Sequence, residues 1–219
     1  QIRNEIIKFK NDIVSQQLDN YYGIKSYSEI LGVSRRELSH SNFLSWLLNH
    51  QESHSLSSYP ITKFLEILVL SSNSSQHQKN KILYDSIITG DLVINTVSVT
   101  TEKTLLSVGR IDIYIEADIS YSGTQRQLRI VVENKVTSKE HSDQTRKYFN
   151  YFENLDDNFI NLYVFLTPLS GIELSELSEP ECSCKSFIQT NYQYLVDYLL
   201  EPILNRDISD KTRLIVNDY

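Results

Sequence analysis

Between residues 92 and 166 the chain changes texture in an order that few architectures accept. Residues 92–99 are β-branched and partly alternating, residues 110–116 alternate strictly, and residues 127–136 form a third extended run. Ser122-Gly123 marks the turn between the second and third. A helix is expected from about residue 138 to 152, with Thr137-Ser-Lys-Glu140 in the form of a capping box. Residues 161–166 are then a short apolar run stopped by Thr167-Pro168, the pattern of a central strand buried on both faces. Three strands, a crossover helix and a further strand predict an α/β fold with a mixed central β-sheet flanked by helices.

What precedes and follows is helical. Ile2, Ile6, Phe9, Ile13 and Leu18 recur at near-helical spacing across residues 2–22. Ser34-Arg-Arg-Glu37 has the form of a capping box, and Leu38, Phe43, Leu44, Leu47 and Leu48 supply an apolar face behind it. A third helix is expected over residues 60–71 with Pro60 in its first turn, the Ser-rich stretch 71–80 reads as a loop, and residues 192–204 read as a last helix. The organisation expected is one domain over residues 1–219, with a mainly helical lead-in over 1–80 and an α/β core over 90–205.

Composition narrows the class of protein. Of 219 residues, 40% are hydrophobic and 22% charged, which is globular and excludes a disordered or fibrous chain. Two cysteines, Cys182 and Cys184, are too few for a disulfide framework or a four-cysteine zinc site. The apolar run at residues 64–70 is far short of the roughly 20 residues a membrane helix needs, and no secretory signal opens the sequence, so a soluble cytoplasmic protein without membrane contact is expected. The sequence starts at Gln1, lacks methionine and ends soon after Arg213-Leu-Ile-Val216, which reads as a strand cut short; a fragment of a longer chain is expected. A net charge of −7 argues against a surface coated for non-specific nucleic-acid binding. The charge is uneven, however: Arg126, Arg129, Lys135, Lys139, Arg146 and Lys147 stand against only Glu133, Glu140 and Asp143 in one stretch.

The informative residues are the polar ones inside the strands. Glu133 and Lys135 are two apart, so a strand turns both to one face. Asp112 sits within the alternating strand before it. If the two strands pair, two carboxylates and an ammonium converge on one patch of sheet. Adjacent carboxylates repel unless a divalent cation lies between them, and Mg²⁺ is commonly held by one or two carboxylates, waters and phosphate oxygens. The plainer alternative is an exposed sheet face with ordinary cross-strand ion pairs.

Five motifs in order then resemble the PD-(D/E)-x-K nuclease superfamily, with its restriction-endonuclease-like fold. They are Glu37-Leu-Ser-His40-Ser41 running to Trp46-Leu-Leu48, Gly109-Arg-Ile-Asp112-Ile113, Glu133-Asn134-Lys135, Gln144-Thr-Arg-Lys-Tyr148, and Leu166-Thr-Pro168 with the late Asn191-Tyr192. Ile111 stands where the superfamily's proline would precede the aspartate. The resemblance implies that Asp112, Glu133 and Lys135 are catalytic. It makes Asp112, Glu133 and the Asn134 carbonyl ligands of Mg²⁺ or Mn²⁺, and places Gln144 and Tyr148 beside the site. Glu37 has two readings, a further acidic ligand or the capping partner of Ser34. His40 is either a residue flanking the metal or a hydrogen-bonded helix histidine. Glu140 also matches, though capping at Thr137 accounts for it. His50 and His54 have ligand spacing only if helical, and their polar surroundings favour a loop. Glu102 could approach the site from the first strand, and Trp46 is most simply core.

The function this implies is metal-dependent hydrolysis of phosphodiester bonds, in DNA rather than RNA, in restriction, phage defence or repair. Arg35, Arg36, Arg129, Lys139, Arg146 and Lys147 are candidates for phosphate contacts. Double-strand cutting usually needs two sites, which a homodimer would supply. The alternative is a catalytically inactive nuclease-like module that binds nucleic acid or protein.

Overall fold

The three β-rich runs form strands longer than their alternation marks. These are β1 (Val93–Leu105), β2 (Gly109–Tyr121) and β3 (Thr124–Asn134), which with β4 (Phe159–Thr167) and β5 (Ile188–Asn191) make a five-stranded sheet of order β1-β2-β3-β4-β5. The computed structural model describes residues 2–16, 25–136, 140, 143–155, 157–169 and 182–219. β1, β2 and β3 are antiparallel neighbours, whereas β4 runs parallel to β3 and β5 parallel to β4. The mixed sheet flanked by helices is thus the restriction-endonuclease-like architecture expected. Ser122 and Gly123 close the β2–β3 hairpin with φ of 50° and 71°, the left-handed pair that matches strand twist in a two-residue turn.

The helices are α1 (Ile2–Lys10), α2 (Tyr27–Ile30), α3 (Glu37–Leu48), α4 (Tyr59–Ser71), α5 (Ser74–Lys79), α6 (Lys81–Thr89), α7 (Gln144–Glu153), α8 (Tyr192–Leu195), α9 (Glu201–Leu204) and α10 (Asp210–Asp218). A π-helical turn, Val196–Leu200, joins α8 to α9. Two compact units result, residues 1–34 with 218–219, and residues 35–217. The second contains the whole sheet.

Both faces of that sheet are covered. Tyr148 and Phe152 of α7 pack with Tyr114, Val131, Tyr163 and Phe165 on one face. On the other, α3 and α4 contribute Leu44, Leu47, Leu48, Ile61, Phe64, Leu65 and Leu68, each no more than 1% exposed. Burying each such side chain contributes about 1.5–3 kcal/mol, so this packing and not helix propensity holds α3 and α4 in place.

Several sequence expectations need correction. α3 begins at Glu37 with Arg36 at its cap and no side-chain cap hydrogen bond, so Ser34 and Glu37 form no capping box. Its buried stripe is Ser41, Leu44, Leu47 and Leu48, while Leu38 is exposed. The stretch read as a loop at 71–80 contains α5, started by a reciprocal capping box between Asn73 and Gln76. α6 carries no strong sequence signal beyond Leu83, Tyr84 and Ile87 on its buried side. Residues 213–216, read as a strand, lie in α10. The helix expected from residue 138 starts at Gln144; Thr137, Ser138 and Lys139 of the expected capping box lie outside the described residues. At the amino terminus α1 ends at Lys10 and helical backbone resumes at residue 13; Leu18 lies outside the described residues. Trp46 is half-buried, its indole N–H donating to Ser53 Oγ at 3.1 Å, and so is not core.

Candidate active site

Register decides which side chains meet. β2 and β3 pair Tyr114 with Val131 and Ile113 with Val132. Asp112 is two residues from Tyr114 and Glu133 two from Val131, so both carboxylates rise from the α7 face, as does Lys135. One step past the last pair the ladder opens, and the Asn134 backbone N–H donates to Asp112 Oδ2 at 2.8 Å. β3 stays locked on its other side: Glu133 is opposite Phe165, and the Lys135 N–H donates to the Leu166 carbonyl at 2.9 Å. The site therefore sits where β2 and β3 separate while β3 and β4 remain paired, at the carboxyl end of β3.

Burial makes this cluster electrostatically unusual. Glu133 is 0% exposed and Lys135 7%. Lys135 Nζ lies 2.6 Å from Glu133 Oε1, an ion pair at contact distance. Glu133 Oε1 is thus matched by the ammonium, while Oε2 is buried with no hydrogen-bond partner among the described residues. Burial, and after it the charge of Asp112, pushes the Glu133 carboxyl up to about 7 against the opposing pull of Lys135. Burial likewise raises Asp112, opposed by the Asn134 N–H and Lys135, while Glu37 raises it further. For Lys135, burial acts to lower the ammonium's pKa, but Glu133, Asp112 and Glu37 outweigh it and the net direction is up. Glu37 thus belongs to the same electrostatic cluster, and its Oε1 accepts from the Val136 N–H at 3.2 Å.

The residues of α7 approach from above. Tyr148 is fully buried and its hydroxyl donates to the Arg110 carbonyl at 2.8 Å; Gln144 Nε2 reaches that hydroxyl at 3.4 Å. Burial first, then the charge of Glu133, drives the Tyr148 hydroxyl up to about 12. The close packing explains Gly109: a Cβ there would stand 2.9 Å from the Tyr148 hydroxyl oxygen. Glu140 accepts from the Thr145 N–H (2.9 Å), Thr145 Oγ1 (2.6 Å), the Ser183 N–H (2.6 Å) and Ser183 Oγ (3.0 Å), pinning the start of α7 to the segment before β5.

Other sequence-singled residues fall elsewhere. His40 stacks edge-on to Tyr192 with ring centroids 5.4 Å apart. His54 Nδ1 accepts from the Leu56 N–H, so Nε2 carries the proton toward the Asn49 carbonyl, and both ring nitrogens are committed to backbone. Glu102 has φ of 53° and pairs with Arg110 at 3.1 Å. Arg35, Arg36, Arg146 and Lys147 are exposed. Arg129 is not available to phosphate: it is 4% exposed, donates to Tyr114, Asn161 and Asp157, and stacks over Phe152 and Phe159. Lys139 lies outside the described residues. No expectation attached to Arg110, whose charge lowers the pKa of Asp112; its place two residues before Asp112 in an alternating strand was the available signal.

Among the described residues no three His, Cys, Asp or Glu side chains converge as a closed metal cage. A hard oxygen-seeking cation needs less, since Mg²⁺ keeps several waters and takes one or two carboxylates together with substrate oxygens. Glu133 offers a buried Oε2 with no hydrogen-bond partner among the described residues, beside Asp112 and an Oε1 paired with Lys135; two buried carboxylates against one ammonium cost free energy and fit such an ion.

Among described residues no helix is long and apolar enough to cross a membrane. No curated protein matches the chain significantly. A family model described as the PD-(D/E)XK nuclease superfamily matches residues 27–217, which takes in the whole sheet and every residue of the cluster. The chain belongs to the PD-(D/E)XK nuclease superfamily.

Proposed function

We propose that this protein is a divalent-metal-dependent nuclease that hydrolyses phosphodiester bonds, acting on DNA in preference to RNA, in restriction, phage defence or repair. The observation that carries this reading is the fully buried Glu133 carboxylate, under the charge of Asp112 and paired with the Lys135 ammonium 2.6 Å away. Asp112, Glu133 and the Asn134 carbonyl would hold the ion, with Glu37 close enough to act on the same charge balance. A bound Mg²⁺ or Mn²⁺ supplies Lewis-acid activation of the phosphate and of the attacking water. Lys135, fixed by Glu133, presents its ammonium where negative charge develops on the phosphate oxygens. Gln144 offers an amide to the substrate while Tyr148 keeps the Arg110 carbonyl, and with it the start of β2, in place. The exposed Arg146 and Lys147 on α7 supply phosphate contacts beside the site. The preference for DNA rests on the superfamily resemblance.

The test is incubation with supercoiled plasmid, labelled single-stranded DNA and labelled RNA, each with Mg²⁺, Mn²⁺ or EDTA. Cleavage that needs metal and falls by at least about 10²-fold in Asp112→Asn and in Lys135→Ala supports the assignment. Salt-sensitive binding with no cleavage by any form would mean a binding module instead. Undiminished cleavage by both variants would place the chemistry elsewhere.

A further inference from the structure

The middle residue of Glu133-Asn134-Lys135 turns its side chain away from the carboxylates, to the α3 face of the sheet, and there it is fully engaged. Asn134 is 0% exposed. Its Nδ2 donates to the Ser41 hydroxyl at 3.1 Å and to the Glu37 carbonyl at 3.3 Å, and its Oδ1 accepts from the Tyr192 hydroxyl at 2.7 Å. An asparagine amide can satisfy this set only in one orientation, with two donors toward α3 and the acceptor toward α8. Glu37 is consequently held to the end of β3 twice. Its carbonyl is tied to the Asn134 side chain, and its carboxylate to the Val136 N–H at 3.2 Å.

The geometry points to a positioning lock: Asn134, Ser41 and Tyr192 together set α3 against the end of β3, and so fix where the Glu37 carboxylate stands relative to Glu133 and Lys135. Every member has a reason to be what it is. Ser41 occupies the buried stripe of α3, where Leu44 and Leu48 continue the same face, because a hydroxyl is needed opposite the amide. Tyr192 opens α8 directly after β5, whose parallel pairing to β4 brings that helix start alongside the end of β3. His40 braces the Tyr192 ring from its edge. Asn134 acts through Glu37 and is not a catalytic residue in this role. The consequence for turnover rests on the nuclease reading above, whereas the lock itself does not.

Two measurements separate these. Amide hydrogen exchange at Val136 reads the Glu37 contact, with Lys135 as an internal reference because its N–H is held by Leu166 in the β3–β4 ladder. Tyr192→Phe and Ser41→Ala each remove one lock hydrogen bond with little change of volume. Exchange at Val136 is expected to accelerate about 10-fold in either variant while Lys135 changes less than 2-fold, since a net hydrogen bond is worth about a factor of 10. Equal acceleration at both amides would mean general loosening, and none at Val136 would mean no lock; either overturns the proposal. In cleavage assays the same variants should lose about 10-fold in kcat with KM unchanged, and lose nothing further in a Glu37→Gln background. Additive losses in that background would overturn the assignment to Glu37. Should the wild type cleave nothing, the nuclease reading fails and the exchange result still decides the lock.

Discussion

Arg129 and Arg146 come from the same basic stretch, and the fold gives them opposite work. Arg129 is sealed under Phe152 and Phe159 with three hydrogen-bonded partners, while Arg146 is exposed and donates to the Ser183 carbonyl. Arg129→Ala is expected to cost about 3 kcal/mol in urea unfolding, because breaking a buried pair leaves its partners uncompensated. Lys147→Ala should leave the unfolding midpoint unchanged and flatten the salt dependence of substrate binding by about one unit of slope, the signature of a lost phosphate contact. Glu153 gives a pH prediction at the same scale. Burial acts to raise its pKa, but bonds from Tyr163 at 2.9 Å, Lys79 at 3.1 Å and Asn161 at 3.3 Å prevail, and the net direction is down from 4.5. A depressed folded-state pKa contributes stability that is present above the unfolded value and lost as pH falls through the folded one. The stability gap between wild type and Glu153→Gln should therefore be present in full above the ordinary value of 4.5 and shrink as pH falls below it, as read by urea unfolding at a series of pH values.

The start of β2 is where element geometry constrains the site. Gly109 admits the Tyr148 ring against the backbone, and the Tyr148 hydroxyl in turn holds the Arg110 carbonyl two residues before Asp112. Gly109→Ala forces that buried ring to move. A loss of about 1–3 kcal/mol is expected by thermal unfolding, as for other overpacked cores, together with a lower kcat. α5 shows the opposite relation of sequence to element. Six polar residues with no apolar stripe gave no periodic signal, yet Asn73 and Gln76 satisfy each other's backbone donors and start a helix. Asn73→Ala should cost about 1 kcal/mol in the same measurement. The Ser34–Glu37 pattern failed for a complementary reason. The same spacing was present, but Glu37 gains a longer-range partner in the Val136 N–H, and the local box yields to it. Capping motifs are local offers, and tertiary contacts decide which are taken.

Across the whole molecule the sheet has one thick centre. Ile113, Ile115, Ile130, Val132, Leu162 and Val164 lie on the α3–α4 face with no more than 1% exposure. Truncating one of them, as in Ile115→Ala, should cost about 2–5 kcal/mol by urea unfolding, since the surrounding layers relax only partly into the void. Much of this was legible in the chain. Strict alternation in residues 110–116 and the apolar run at 161–166 dictate extended backbone, and the period of two places Asp112, Glu133 and Lys135 on a common face once register is given. The order of textures dictates a mixed sheet with a crossover, because a helix between two strands returns the chain to parallel. Tertiary structure alone decided the rest. The opening of the β2–β3 ladder at Asp112, the burial of Arg129 and the inward reach of Glu37 each depend on partners 15 to 99 positions away in sequence. Periodicity records which face a side chain takes. Whether that side chain meets water, a carboxylate or a backbone amide depends on which distant element covers that face, and so only the folded chain settles it.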